Sequence, residues 1–164
     1  MSAMPTLARP SAKRRLSSEE LRAWRAFLRS HATVSRALER ALEDSDLTLA
    51  GYGVLVVLSE APEQQLRLHE IAERIGLTKS GLSRLIDRLE FRGFVERHAC
   101  ELDKRGQYAA VTSAGRRAFR RAAPGHLGAI ATCFADHLSP AELVTLSRVL
   151  ERVASANQEA AEPH

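Results

Sequence analysis

The residues most able to do chemistry lie in one short run, and the chemistry they suit is binding rather than catalysis. Between positions 78 and 92 the chain carries Thr78, Lys79, Ser80, Ser83, Arg84, Asp87 and Arg88 on one set of helical positions. Leu82, Leu85, Ile86 and Leu89 fall at i, i+3, i+4 and i+7 and make a single apolar face. An α-helix of this kind fits the major groove of a duplex, where each base pair presents its own donor and acceptor pattern. Arg84 suits bidentate bonding to guanine, and Ser80 and Ser83 suit base or phosphate. Thr78, with the free amides of the first turn, suits phosphate, as does Lys79 beside it. Arg88, one turn further on, suits the backbone. A solvated amphipathic helix accounts for the same pattern equally well.

Two further features bear on that choice. Gly76-Leu77-Thr78 supplies a C-cap glycine, an apolar spacer and an N-cap in consecutive positions, so one helix ends and the next begins across a tight turn. Asp103, Lys104, Arg105 and Gly106 form a polar turn between two short apolar runs, which places Lys104 and Arg105 at the tip of a hairpin. An arginine at such a tip suits a narrow minor groove, where the negative potential is enhanced. Asp103 would cap the turn or pair with Arg105. A charged tip kept for solubility is the competing reading.

Charge is distributed to match. From Leu66 to Arg121 there are 13 Lys and Arg against 7 Asp and Glu, a net of +6, while the whole chain carries only +4. Positive charge concentrated in one segment is the electrostatic footprint of a polyanionic partner. Enzyme signatures are missing from the sequence. There is no glycine loop for phosphate, no HExxH and no nucleophile elbow, so the expectation is a non-enzyme. Cofactors and metals are not expected, because two cysteines, Cys100 and Cys133, and six histidines show no ligand spacing. His98 and Cys100 share a strand face, which is too few ligands for zinc. Cys100 beside Arg97 and Lys104 has cations to lower its pKa, leaving a thiol-based redox response as an alternative function. A winged-helix adaptor that binds protein and not DNA is another. Nothing reads as an export signal or a membrane span, so the expected location is the cytoplasm.

The elements that must hold these residues are mostly helical. A first helix starts at Ser17 or Ser18, with Leu21, Trp24, Phe27, Leu28, Val34, Leu38, Ala41 and Leu42 on a wide apolar face. Thr48 caps a second helix that ends before Pro62. Residues 66–68 allow no more than a small edge strand. A third helix, 69–75, stops at Gly76, and a fourth runs from Thr78 to about Arg92, where Gly93 ends it. Residues 94–99 and 107–112 form a two-stranded hairpin. Ser113 is expected to cap a fifth helix, and Pro124-Gly125 to kink or break it. Ser139-Pro140-Ala141-Glu142 is a capping box that opens a sixth. Beyond Asn157 the chain should fray.

The run from Leu77 to Arg97, Leu-Thr-Lys-Ser-Gly-Leu-Ser-Arg-Leu-Ile-Asp-Arg-Leu-Glu-Phe-Arg-Gly-Phe-Val-Glu-Arg, resembles the recognition helix and first wing strand of the MarR (multiple antibiotic resistance regulator) family. Residues 103–115 are similar to its wing pattern, Asp-x-Arg followed by Val-x-Leu-Thr-x-x-Gly, with Ala109 and Val111 at the two apolar strand positions. The resemblance covers about residues 19–156. It implies a mainly α fold with a minor β part: a winged helix-turn-helix, a two-stranded wing and a helical dimerisation region. It also implies an obligate homodimer on double-stranded DNA at a pseudo-palindromic operator, in most cases as a repressor released by a small aromatic or phenolic ligand. Under that reading residues 1–17 are a flexible basic arm, 18–47 an N-terminal dimerisation helix, 48–112 the DNA-binding lobe, 113–156 the C-terminal dimerisation helices and 157–164 a flexible tail. The dimer face would include Leu21, Leu143, Leu146, Leu150 and Val153. Trp24, His31 and Tyr52 would line the effector pocket, although an aromatic on an apolar face also suits a core.

Overall fold

The computed structural model describes residues 14–99 and 107–159. Among them are six α-helices: α1 (Ser18–Leu42), α2 (Leu49–Glu60), α3 (Leu68–Ile75), α4 (Lys79–Phe91), α5 (Ser113–Cys133) and α6 (Pro140–Glu159). Three strands complete the set, β1 (Gln65–Arg67), β2 (Val95–Ala99) and β3 (Gln107–Val111). The fold is the mostly helical winged helix-turn-helix that the pattern predicts. The chain divides into two units, Met1–Thr33 and Val34–His164, and α1 runs from one into the other.

In the first unit α1 begins at a reciprocal cap: the Ser17 amide donates to Glu20 Oε2 at 2.8 Å, and the Glu20 amide donates to Ser17 Oγ at 3.2 Å. These bonds favour the ionised carboxyl and hold the Glu20 pKa below its usual value, the Ser17 backbone contributing most. Trp24 stacks on Phe27 with ring centroids 5.8 Å apart, and Phe27 meets His31 at 6.3 Å.

The second unit holds the core. Leu42, Val54, Leu55, Leu58, Ile71, Leu82, Ile86, Val95 and Ala109 are fully enclosed. Thr48 caps α2 as expected, accepting from the Gly51 amide at 3.1 Å. The hairpin is a three-stranded antiparallel sheet in the order β1-β3-β2, with β1 as its short edge. β2 and β3 form the expected two-stranded hairpin, and β1 joins it as the small edge strand that residues 66–68 allow. Leu66 on β1 and Arg97 on β2 both pair with Ala109 of the central strand. A small residue suits that central position because its neighbours close over it.

Three local expectations are corrected. Thr112, not Ser113, caps α5: its Oγ1 accepts from the Gly115 amide at 3.0 Å. The helix does not break at Pro124 but continues to Cys133. Pro124 and Arg120, whose carbonyl loses its partner, both face solvent, while Ala118, Ala122 and His126 are buried on either side of the proline. That packing offsets the roughly 3 kcal/mol that an interior proline costs. Finally, α6 passes Asn157, whose side chain donates to the Val153 carbonyl at 2.7 Å, and reaches Glu159. Its start is as expected. Ser139 and Glu142 form the box, and these bonds, chiefly from the Ser139 side chain, lower the Glu142 pKa.

Candidate nucleic-acid interface

The turn between α3 and α4 is built by one glycine. Gly76 sits at φ 69°, a left-handed conformation that side chains disfavour, with no neighbour crowding it. The Leu77 amide returns to the Ala72 carbonyl at 2.9 Å, closing α3 in a Schellman-type end. Thr78 then caps α4 by accepting from the Gly81 amide at 3.1 Å. Two helix ends are thus satisfied in three residues, and α3 passes into α4 across a tight turn.

On α4 the division read from spacing is the division observed. Leu82, Leu85, Ile86 and Leu89 are buried, and Lys79, Ser80, Ser83, Arg84, Asp87 and Arg88 are exposed, with Thr78 exposed ahead of them. Arg84 makes no ion pair or side-chain hydrogen bond with any described residue. At the far end of the helix Arg92 pairs with Asp46 at 2.7 Å and also bonds the Asp46 carbonyl, tying α4 to the segment before α2. Between these elements lies a groove lined by Leu85, Leu89, Arg88 and Phe91, a residue that is 91% exposed.

The β-hairpin is attached to α4 by a residue that the pattern of charges did not single out. Arg97 Nη1 lies 2.6 Å from Asp87 Oδ1 and 2.7 Å from Glu90 Oε2, and Nη2 donates to the Ser83 carbonyl at 3.2 Å. Its side chain is only 22% exposed. Strand parity carried the signal: Arg97 is two residues from buried Val95, so it sits on the inward face of β2. A charged residue at an inward position needs internal partners.

A second unforeseen joint lies at the base of the hairpin. Thr112 Oγ1 donates to the Gly93 carbonyl at 2.6 Å, and the Thr112 amide donates to the Phe94 carbonyl at 3.1 Å. Gly115 sits so close that an added Cβ would fall 2.1 Å from Phe94 O. Arg116 adds bonds to Gln64 Oε1 and the Val111 carbonyl. The Thr-x-x-Gly spacing is therefore a packing requirement where α5 leaves the sheet.

The remaining sequence-predicted residues divide as follows. Asp103, Lys104, Arg105 and Cys100 lie outside the described residues. Trp24 is 53% exposed and His31 is exposed, both in the first unit. Tyr52, in the second unit, is buried, with its ring 4.1 Å from His126 and 5.3 Å from Phe119. Burial raises the Tyr52 pKa and lowers that of His126, so both stay neutral near pH 7. Leu21, Leu143 and Leu146 are partly covered, while Leu150 and Val153 are exposed. Among the described residues no group of acidic, histidine or cysteine side chains could hold a metal ion, and no helix is long and apolar enough to cross a membrane.

Comparison with known proteins agrees with this geometry. The sequence profile of the MarR family matches residues 45–106. YkoM, an uncharacterised HTH-type transcriptional regulator of Bacillus subtilis (strain 168), is 30% identical over 135 residues, covering 82% of this chain and 86% of its own. Sco3205, a MarR family transcriptional regulator of Streptomyces coelicolor solved in complex with DNA, superposes with a TM-score of 0.84 at 35% identity, over 90% of this chain and 92% of that one. CouR from Rhodococcus jostii RHA1, solved bound to p-coumaroyl-CoA, superposes at 0.71 with 28% identity, over 79% and 89%.

Proposed function

This chain belongs to the MarR family of transcriptional regulators, and from that premise we propose that it is a homodimeric repressor that reads a pseudo-palindromic operator with α4. The observation that carries the reading is the exposed row Thr78, Lys79, Ser80, Ser83, Arg84 and Arg88 mounted on a fully buried leucine face. Arg84 reads base edges, and Thr78, Lys79 and Arg88 hold phosphates, with the serines serving either. Asp103, Lys104 and Arg105 carry the hairpin tip to the adjacent minor groove. The DNA complex of Sco3205 supports the choice of duplex as partner.

The dimer reading is supported by apolar surface that a single chain leaves open. In the first unit Trp24, Phe27 and Leu28 are about half exposed; in the second, Val144 is 71% exposed, and Leu127, Leu150 and Val153 are uncovered too. Large apolar side chains left exposed on each unit suit an interaction surface. A second copy covering Leu21, Leu143, Leu146, Leu150 and Val153 places the two α4 helices for half-sites about one helical turn apart. Release by a small aromatic or phenolic ligand completes the proposal, with Trp24, His31 and Tyr52 as candidate contacts. The p-coumaroyl-CoA bound to CouR, whose acyl group is a phenol, supports a phenolic effector.

One binding experiment tests these points. Duplexes are selected from a random-sequence pool, and affinity for the selected and a scrambled duplex is followed through a salt series, with and without aromatic acids. The expected result is a palindromic selection, a log-linear loss of affinity with salt and release by an acid. Arg84→Ala is expected to lose about 1–3 kcal/mol on the selected duplex and to relax one base pair per half-site. A chain that ignores DNA in dilute buffer would refute the reading.

A further inference from the structure

We infer that Arg97 is a positioning residue for DNA reading: by holding Asp87 and Glu90 it keeps Arg84 free to meet a base. The inference rests on the reading of α4 as the recognition helix. Asp87 lies three residues after Arg84 on α4, a spacing at which acidic and basic side chains on a helix meet. Left alone, the Asp87 carboxylate is the nearest sink for the Arg84 guanidinium, and an arginine so engaged cannot present its fork to guanine. Arg97 removes that competitor. Its Nη1 stands between Asp87 Oδ1 and Glu90 Oε2 at 2.6 and 2.7 Å, its Nη2 bonds the Ser83 carbonyl, and its amide donates to Glu90 Oε1 at 3.3 Å.

The geometry favours this division of labour. Arg97 comes from the inward face of β2 and is mostly covered, whereas Asp87 is 58% exposed and stands in the row that faces a duplex. An unneutralised carboxylate in that row would repel phosphate as well as capture Arg84. One guanidinium therefore screens both acids, and it spans α4 from Ser83 to Glu90 from behind. Both Nη1 and Nη2 of Arg97 are engaged within the protein and its Nε is buried, so its fork is already taken.

The test uses the full-length chain, the duplex selected by the wild type and a scrambled duplex of equal length. The readouts are the ratio of the two affinities and the salt slope, with thermal melting to confirm folding. Arg97→Ala is expected to lower the ratio about tenfold, the worth of a weakened bidentate base contact, and to leave the salt slope on scrambled DNA unchanged. Adding Asp87→Asn to Arg97→Ala is expected to restore most of the ratio, because the competing carboxylate is gone. A role in folding alone would give no such rescue. Arg97→Lys, which keeps the charge should the alanine variant not fold, is expected to keep the ratio within about threefold of wild type, inside the range of one such contact. An undiminished ratio in Arg97→Ala, a failure of Asp87→Asn to rescue, or a slope shallower by about one phosphate would each overturn the inference while leaving DNA binding intact. A wild type that does not discriminate between the duplexes would overturn the α4 reading itself.

Discussion

Replacing Gly115 by alanine is the sharpest test of how the hairpin is mounted. The new methyl group would lie 2.1 Å from the Phe94 carbonyl oxygen, 2.9 Å from its carbon and 3.0 Å from Val111 Cγ2. Neither partner can retreat cheaply. The Phe94 oxygen accepts from both the Thr112 amide, at 3.1 Å, and Thr112 Oγ1, at 3.2 Å, and Val111 is buried in the core. Forced overpacking costs about 1–3 kcal/mol. Losing the Thr112 amide bond, and the lesser share of the hydroxyl proton that Thr112 gives mainly to the Gly93 carbonyl, adds about 1–2 kcal/mol, and alanine returns up to about 1 kcal/mol of helix propensity. The net expectation is a loss of about 2–4 kcal/mol, or a fall in melting temperature of roughly 5–15 °C for a chain of this size. Calorimetry at fixed protomer concentration measures it, since association also moves the midpoint. Gly128→Ala in the same helix has nothing within 4 Å and serves as the control, expected to gain up to about 1 kcal/mol. A Gly115→Ala protein as stable as the control would refute the close approach and the account of the Thr-x-x-Gly spacing.

Two further outcomes follow from the same structure. Leu150→Glu, at an exposed position of α6, leaves the fold of one chain intact but buries an unpaired carboxylate twice in a symmetric dimer, so the dimer should weaken roughly hundredfold or more; light scattering that still reports a full dimer would refute the proposed face. His126 is 7% exposed, its Nδ1 has no hydrogen-bond partner among the described residues, and burial depresses its pKa below the ordinary 6.5. The unfolded chain therefore binds this proton more readily, so the stability it contributes is present above pH 6.5 and is lost as the pH falls below it. His126→Phe should flatten the decline in melting temperature between about pH 7.5 and 5.5, and an unchanged decline would show that the imidazole is not responsible.

Most of the fold is legible because its signals are local. A capping threonine three residues before a glycine amide, a glycine in the left-handed region and leucines every three or four residues each act within one or two turns. The ends of α2, α3 and α4, and the polar and apolar faces of α4, follow from them without reference to the rest of the chain. The candidate reading face belongs to the same class, since helix periodicity alone decides that Ser80, Ser83, Arg84 and Arg88 share the side opposite Leu82 and Leu85.

Where contacts join residues far apart in sequence, local pattern is silent or misleading. Pro124 breaks helices when local cost decides, yet the burial of Ala118, Ala122 and His126 outweighs that cost and α5 runs on. Arg97 reads as one more surface cation until β2 is laid against α4, when it becomes the internal partner of Asp87 and Glu90. Gly115 reads only as the last position of a wing pattern until α5 is brought against Phe94. Sequence alone determined where α2, α3 and α4 begin and end and which side of α4 can face a duplex, because those are short-range consequences of backbone hydrogen bonding and apolar spacing. Tertiary structure decided how the hairpin is fastened and which charges are already engaged, because an ion pair or a carbonyl contact exists only once two distant segments have been brought together.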